Sequence, residues 1–298
     1  MSQFFDTLKA IALSSKPQSE KVKEMQKVTG MTAAAARQQI QTIVFMNRSK
    51  APAHVQDAVL RFTMGVEIEC FNIDKRSIIE TLKGKKVKAI STGYDHTDYA
   101  DTYKLGYDCS IDGSNSCEVV SPILHNLASL KKVCQVINEA GAQVNRSCGL
   151  HVHFGAKDFT LAQWVRIIRN YAALEEVIDS FMPRSRRGNS NTYCKSIKQA
   201  AERLDSVHTM HDLYRAFNCD RYHKVNVEAF RSHKTIEFRH HSGTTEFTKI
   251  EAWINFLRAL IEYSINNETI VSASSIDEIP FLNDAQKRYF KRRKSELN

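Results

Sequence analysis

The strongest constraint on how this chain folds is a charge pattern of period two that recurs in three separate segments. In GVEIE, residues 65–69, Glu67 and Glu69 alternate with Val66 and Ile68, and Cys70 follows on the apolar side. In GLHVHFG, residues 149–155, His151 and His153 alternate with Val152 and Phe154. In TIEFRHHSGT, residues 235–244, Glu237, Arg239 and His241 alternate with Ile236 and Phe238. Successive side chains of a strand point to opposite faces, so each segment predicts a strand with an apolar face and a titratable one. Like charges sharing a sheet face repel unless cations or arginines stand between them. Taken singly, an exposed polar strand, an ion pair across a sheet or a pair of structural histidines explains each segment. Three strands of the same design are harder to explain that way.

Around these segments the chain divides by pattern. Residues 1–58 read as helices only, with a break at Thr29-Gly30-Met31, in the outline of a helix-turn-helix. The third helix carries Arg37, Gln38, Gln39 and Gln41, side chains suited to nucleic acid or to packing alike. A linker-like patch, NRSKAPAH at 47–54, follows. From 59 to 270, short strand-like runs, including CEVVSP and VNVEAF, are interleaved with helical patterns at 124–140, 160–182 and 248–266. That order predicts an α+β domain whose antiparallel sheet is covered by helices on one face. Residues 271–298 read as a helical tail.

Further candidates lie between the predicted strands. Glu118 heads the apolar pair Val119-Val120, and a further carboxylate there would complete a mainly acidic site able to hold more than one divalent ion, as phosphoryl transfer requires. Asp108 and Ser110, or Asp112 and Ser114, serve either as substrate contacts or as turn residues. The basic run RSRRGN at 184–189 reads as a loop that closes over phosphates or as a solvated surface.

In order and spacing, GVEIE, YDCSI with CEVVSP, CGLHVHFG, RYHKVN and TIEFRHHSGT resemble the amidoligases of the glutamine synthetase and glutamate-cysteine ligase superfamily over roughly 62–265. The resemblance implies a curved antiparallel sheet with helices on its outer side, and ATP with Mg2+ or Mn2+ on the concave face. It implies that Glu69 and Glu118 hold one metal, that Glu67, His151 and Glu237 hold a second, and that His153 and Arg239 contact phosphate or nucleotide. Arg221 and Asn226 would line the acyl-phosphate or substrate pocket, and Ser110 would join the nucleotide contacts. The substrates would be a carboxylate and an amine, the latter on a small molecule, a peptide or a protein. One departure is Thr235, where glutamine synthetases tend to carry an arginine; Lys234 or Arg231 would have to compensate.

Other classes stay open. A metal-dependent hydrolase would use His151, His153, His240 or His241 with zinc, a thiol hydrolase would use Cys148, and a DNA-binding regulator would use the N-terminal helices beside a nucleotide-sensing domain. A net charge of +9 favours an acidic partner without choosing among nucleotide, nucleic acid and peptide. Seven cysteines without a CxxC pair argue against a disulfide framework or zinc ribbon and fit a reduced, cytoplasmic protein. The N-terminal apolar run, broken by Asp6 and Lys9, fails as a secretion signal, and no stretch nears the roughly 20 apolar residues of a membrane span.

Overall fold

The computed structural model describes residues 2–14, 16–48, 62–93, 97 and 99–298. The chain forms two compact units, residues 1–58 and 59–298. In the first, helices α1 (Ser2–Leu13), α2 (Gln18–Thr29) and α3 (Ala33–Arg48) close over Leu8, Ala12, Val22, Met25, Ala36 and Ile40. Gly30, at φ 70°, ends α2 by donating its N–H to Gln26. Glycine adopts this left-handed conformation at little steric cost, which is why the helical pattern breaks there. Arg37 and Gln38 are exposed and Gln39 is half-buried. The Gln41 side chain and residues 49–54 of the predicted linker lie outside the described residues.

The second unit is a mixed α+β fold around an open, seven-stranded, mostly antiparallel sheet. Its strands are β1 (Met64–Cys70), β2 (Ala89–Ser91), β3 (Tyr103–Gly106), β4 (Cys117–Val120), β5 (Gly149–Gly155), β6 (Val225–Asn226) and β7 (Thr235–Ser242). They lie in the order β2-β3-β4-β1-β5-β7-β6, and only the β2–β3 pair is parallel. The helices are α4 (Lys75–Gly84), α5 (Ala128–Glu139), α6 (Leu161–Asp179), α7 (Lys198–Ala201), α8 (Met210–Ala216), α9 (Ala229–His233), α10 (Phe247–Asn266) and α11 (Asp284–Leu297). Val66, Ile68, Leu150, Val152, Phe154, Ile236 and Phe238 form the apolar face of the central strands, in one core with the buried sides of α4, α5, α6 and α10. Phe290 of α11 packs on Phe181 and Phe256, so the C-terminal tail is part of this core. No helix among the described residues is long and apolar enough to cross a membrane.

Two expectations change. The run VNVEAF is a strand only at Val225–Asn226, because the Asn226 carboxamide accepts the N–H of Glu228 and turns the chain into α9. The alternation in β7 is broken by a bulge: Val152 pairs with Phe238 but Leu150 pairs with His241, so Arg239 and His240 together oppose His151. An extra residue inserted in one strand reverses the facing of everything beyond it. His241 therefore packs against Trp253 of α10, away from Glu237, instead of sharing its face.

Where β7 ends, Gly243 donates to the Cys148 carbonyl at 2.8 Å. A Cβ on Gly243 would overlap the Cys148 Cβ and stand 3.0 Å from its carbonyl carbon. Gly243→Ala should therefore cost about 1–3 kcal/mol through overpacking, lowering the thermal midpoint measured by calorimetry. An unchanged midpoint would show that this corner is slack.

Candidate active site

The register of the sheet sets the titratable residues side by side across five strands. Glu118 of β4 lies opposite Glu69 of β1, Glu67 opposite His151 of β5, His153 opposite Glu237 of β7, and Glu237 opposite Asn226 of β6. Directly opposed like charges such as Glu69 and Glu118 destabilise a ladder unless a cation separates them. The side chains converge accordingly. His151 Nδ1 is 2.9 Å from Glu67 Oε2, and its Nε2 is 3.3 Å from Glu69 Oε1. Glu69 also accepts the N–H of Gly149 at 2.5 Å.

Three overlapping groups offer ligand atoms lying within 4.8 Å of one another: Glu67, Glu118 and His151; Glu67, His153 and Glu237; and Glu69, Asp108 and Glu118. Two features separate these groups from an ordinary polar face. His153 Nδ1 is held by Thr235 Oγ1 at 2.9 Å, while its buried Nε2, 3.3 Å from Glu67 Oε1, makes no hydrogen bond. A ring oriented through one nitrogen with the other unsatisfied is how a ligating histidine is prepared. The second feature is Glu118, whose carboxyl is driven well above the usual carboxylate range by burial and by Glu67, Glu69 and Asp108. Oxygen-rich clusters with one or two imidazoles suit Mg2+ or Mn2+, so the donor set fits the ions that the resemblance implies.

The rest of the site is strongly polarised. Burial acts against ionisation of Glu67, but the His151 and His153 rings beside it outweigh burial and hold its carboxyl well below the ordinary range. Burial acts against ionisation of Glu237 too, but the Arg239 guanidinium and His153 bring it down to about 2. Burial alone would lower His153, yet Glu237 and Glu67 beside the ring raise it. Arg239 donates from one end of its fork to Glu237 and from Nε to the Tyr193 carbonyl at 3.2 Å. Glu118 and His153 are thus both shifted towards their protonated forms, against which a bound cation would compete. Mn2+ affinity should rise with pH, by up to about tenfold per unit for each proton released, with proton release visible in calorimetry across buffers of different ionisation enthalpy. An affinity independent of pH would remove these two residues from the ligand set.

Beyond the cluster, a cavity of about 240 Å³ opens at the end of the sheet marked by Met64, Gly155 and Thr235. Val66, Val120, Pro122 and Ile123 contribute apolar wall, Lys104, Lys157, His233 and Lys234 contribute basic side chains, and Glu67 and His153 line it as well.

The structure brings Glu67, Glu69, Glu118, His151, His153, Glu237 and Arg239 together, and Asn226 with them. Both polar ends of Asn226 are engaged, one donating to Glu237 at 2.5 Å and the other accepting from Glu228. Arg221 is exposed, with its guanidinium 5.5 Å from the Tyr222 ring, and that ring is 5.9 Å from the Arg239 guanidinium. The Ser110 N–H donates to Asp108 at 2.7 Å, a turn contact. Asp108 also joins the Glu69–Glu118 group; the sequence offers it only as a turn or substrate residue, because nothing local shows that β3 delivers it to Glu118. Of the two substitutes for the missing arginine, Lys234 lines the cavity, whereas Arg231 pairs with Glu228 and stacks on Tyr214.

Three readings that the sequence leaves open are narrowed. His240 accompanies Tyr171 and Asp179 at 2.7 Å each, and with His241 it lies on the helix side of the sheet, so neither joins the metal groups. Burial lowers both rings, His241 to about 3. Cys148 is buried and burial pushes its thiol up, which leaves it a packing residue. Within the 184–189 run Arg184–Arg186 form a short 3-10 turn, Arg186 is buried, and Arg187 is held by the Met182 carbonyl and by Leu297 and Asn298, while Arg184, Gly188 and Asn189 are exposed.

A family profile described as "Putative amidoligase enzyme" matches residues 60–261 of the 298. The chain belongs to this amidoligase family. The match spans all seven strands and every member of the three ligand groups. A search of curated proteins found no match.

Proposed function

We propose that this amidoligase is an ATP-dependent carboxylate-amine ligase that forms an amide or isopeptide bond through an acyl phosphate, on a sheet of the glutamine synthetase type. The observation that carries the reading is the row of acidic and histidine ligands across β4, β1, β5 and β7, ending in an arginine held by Glu237. Glu69, Asp108 and Glu118 would hold one divalent ion, and Glu67 with His153 and Glu237, or with His151 and Glu118, would hold others. Bound there, the ions would neutralise the charge of the ATP phosphates.

The chain's own residues account for the remainder. The basic side chains of the 240 Å³ cavity suit a polyphosphate and its apolar wall suits a base, which supports a nucleotide site at the Met64–Thr235 end. A substrate carboxylate oxygen attacks the γ-phosphorus, the bond to the β-phosphate oxygen breaks, and ADP leaves. Arg239, fixed by Glu237 and the Tyr193 carbonyl, meets the charge on the transferring group with little reorganisation. The amine nitrogen then attacks the acyl carbon, phosphate departs with the carbon–oxygen bonding pair, and the nitrogen gives up a proton. No enzyme nucleophile is needed, consistent with the inert environment of Cys148.

Calorimetric titration of ATP with and without Mg2+ tests this reading. Metal-dependent binding is the expected result. Tight zinc binding with no affinity for ATP would replace the ligase with a metal hydrolase built on the same residues.

A further inference from the structure

Arg186 is a buried cation that the reaction above does not use. It is 3% exposed, and among the described residues no carboxylate forms an ion pair with it. Its Nη2 donates to the Cys148 carbonyl at 2.5 Å, and its Nη1 is 3.5 Å from the Arg239 carbonyl and 3.7 Å from Cys194 Sγ. Its Nε has no partner. A guanidinium is charged at any physiological pH, and burying one without a counter-ion is costly. Two carbonyls and a thiol satisfy part of its hydrogen-bonding capacity and none of its charge.

Its position relates it to the ligand cluster. A Cβ built on Gly149 would stand 2.7 Å from His151 Nε2 and 3.2 Å from Arg186 Nη2, so these two nitrogens lie within about 6 Å of each other. The guanidinium therefore stands beside β5 on the face that carries His151 and Glu69, at the Gly149–Ser242 end, opposite the basic cavity. The chain that follows it is tied back to α6 twice, Gly188 N–H donating to Asp179 at 2.8 Å and Ile197 N–H to Glu175 at 2.9 Å. The same segment supplies the Tyr193 carbonyl that holds Arg239. One braced stretch of chain thus sets two arginines at one end of the site.

We propose that Arg186 is a second anion-binding arginine of this active site, contacting the acyl-phosphate group of the activated acid at the end of the sheet away from the nucleotide. The proposal rests on the ligase reading. It requires a fork geometry that lysine lacks, because two oxyanion atoms must be met by a planar donor pair.

Acetyl phosphate, which carries the acyl-phosphate group common to any acid substrate, is the probe, titrated into the full chain loaded with Mg2+ and ADP. Arg186→Lys should weaken acetyl phosphate binding by at least about tenfold, with ATP affinity changed far less. Arg186→Gln should weaken it further. Equal acetyl phosphate affinity in wild type and Arg186→Lys overturns the proposal, as does wild type that binds ADP but not acetyl phosphate. A parallel fall in ATP affinity, acetyl phosphate affinity and thermal midpoint would make Arg186 a structural tie between Cys148 and Arg239. Failure of wild type to bind ATP with Mg2+ would bring down the ligase reading itself, a result distinguishable from the others because it precedes any substitution.

Discussion

Glu67→Gln is expected to abolish metal-dependent ATP binding and to reduce amide formation by on the order of 10²–10³-fold or more. Glu67 belongs to two of the three ligand groups and touches both His151 and His153, so its charge is shared between two parts of the site. Glutamine keeps the shape and removes the charge, which separates ligation from packing. Glu118→Gln makes the complementary case. Its carboxyl is the one that burial and the neighbouring acids disfavour in the metal-free protein, so the amide should raise the metal-free thermal midpoint while weakening metal binding. A gain of about 1 kcal/mol corresponds to roughly 2–4 °C in a chain of this size. Retained metal-dependent ATP binding in Glu67→Gln would detach the cluster from the nucleotide.

Arg239→Lys is expected to lower kcat by on the order of 10³-fold while altering ATP affinity far less. The guanidinium is buried, held at one end by Glu237 and at Nε by Tyr193, and Glu237 in turn owes its low pKa mainly to Arg239. Lysine retains the charge beside Glu237 but cannot serve carboxylate, carbonyl and phosphoryl oxygens together. Arg239→Ala would add a different injury, since breaking a buried pair leaves an uncompensated carboxylate at a cost of about 3–5 kcal/mol. Lysine is therefore the informative substitution, and pre-steady-state measurement of ADP formation is its readout. Equal loss in kcat and in ATP affinity would make Arg239 a binding residue.

Much of the site is legible in the chain because a strand repeats every two residues. GVEIE and HVHF cannot bury Val66, Ile68, Val152 and Phe154 without presenting Glu67, Glu69, His151 and His153 together on the other face. The same rule fails at His241, where a bulge in β7 reverses the facing, and no residue in TIEFRHHS announces the extra one. Asp108 is hidden for another reason. Its neighbours Cys109 and Ser110 describe a turn, and only the pairing of Gly106 with Glu118 brings that turn to the acidic row.

The basic run at 184–189 shows the limit most clearly. Six residues outside any periodic element, three of them arginines, read as a closing loop or a solvated surface; yet Arg186 is buried because the Cys148 and Arg239 carbonyls and the carboxylates of α6 draw its segment inward. The amino-acid sequence by itself determined which side chains each strand turns to its polar face, because alternation is a property of the backbone. Which of those faces meet, which residue a bulge turns away and which loop delivers Asp108 or Arg186 were decided only by tertiary structure, because strand order, register and long-range hydrogen bonds join residues between which the chain carries no local signal.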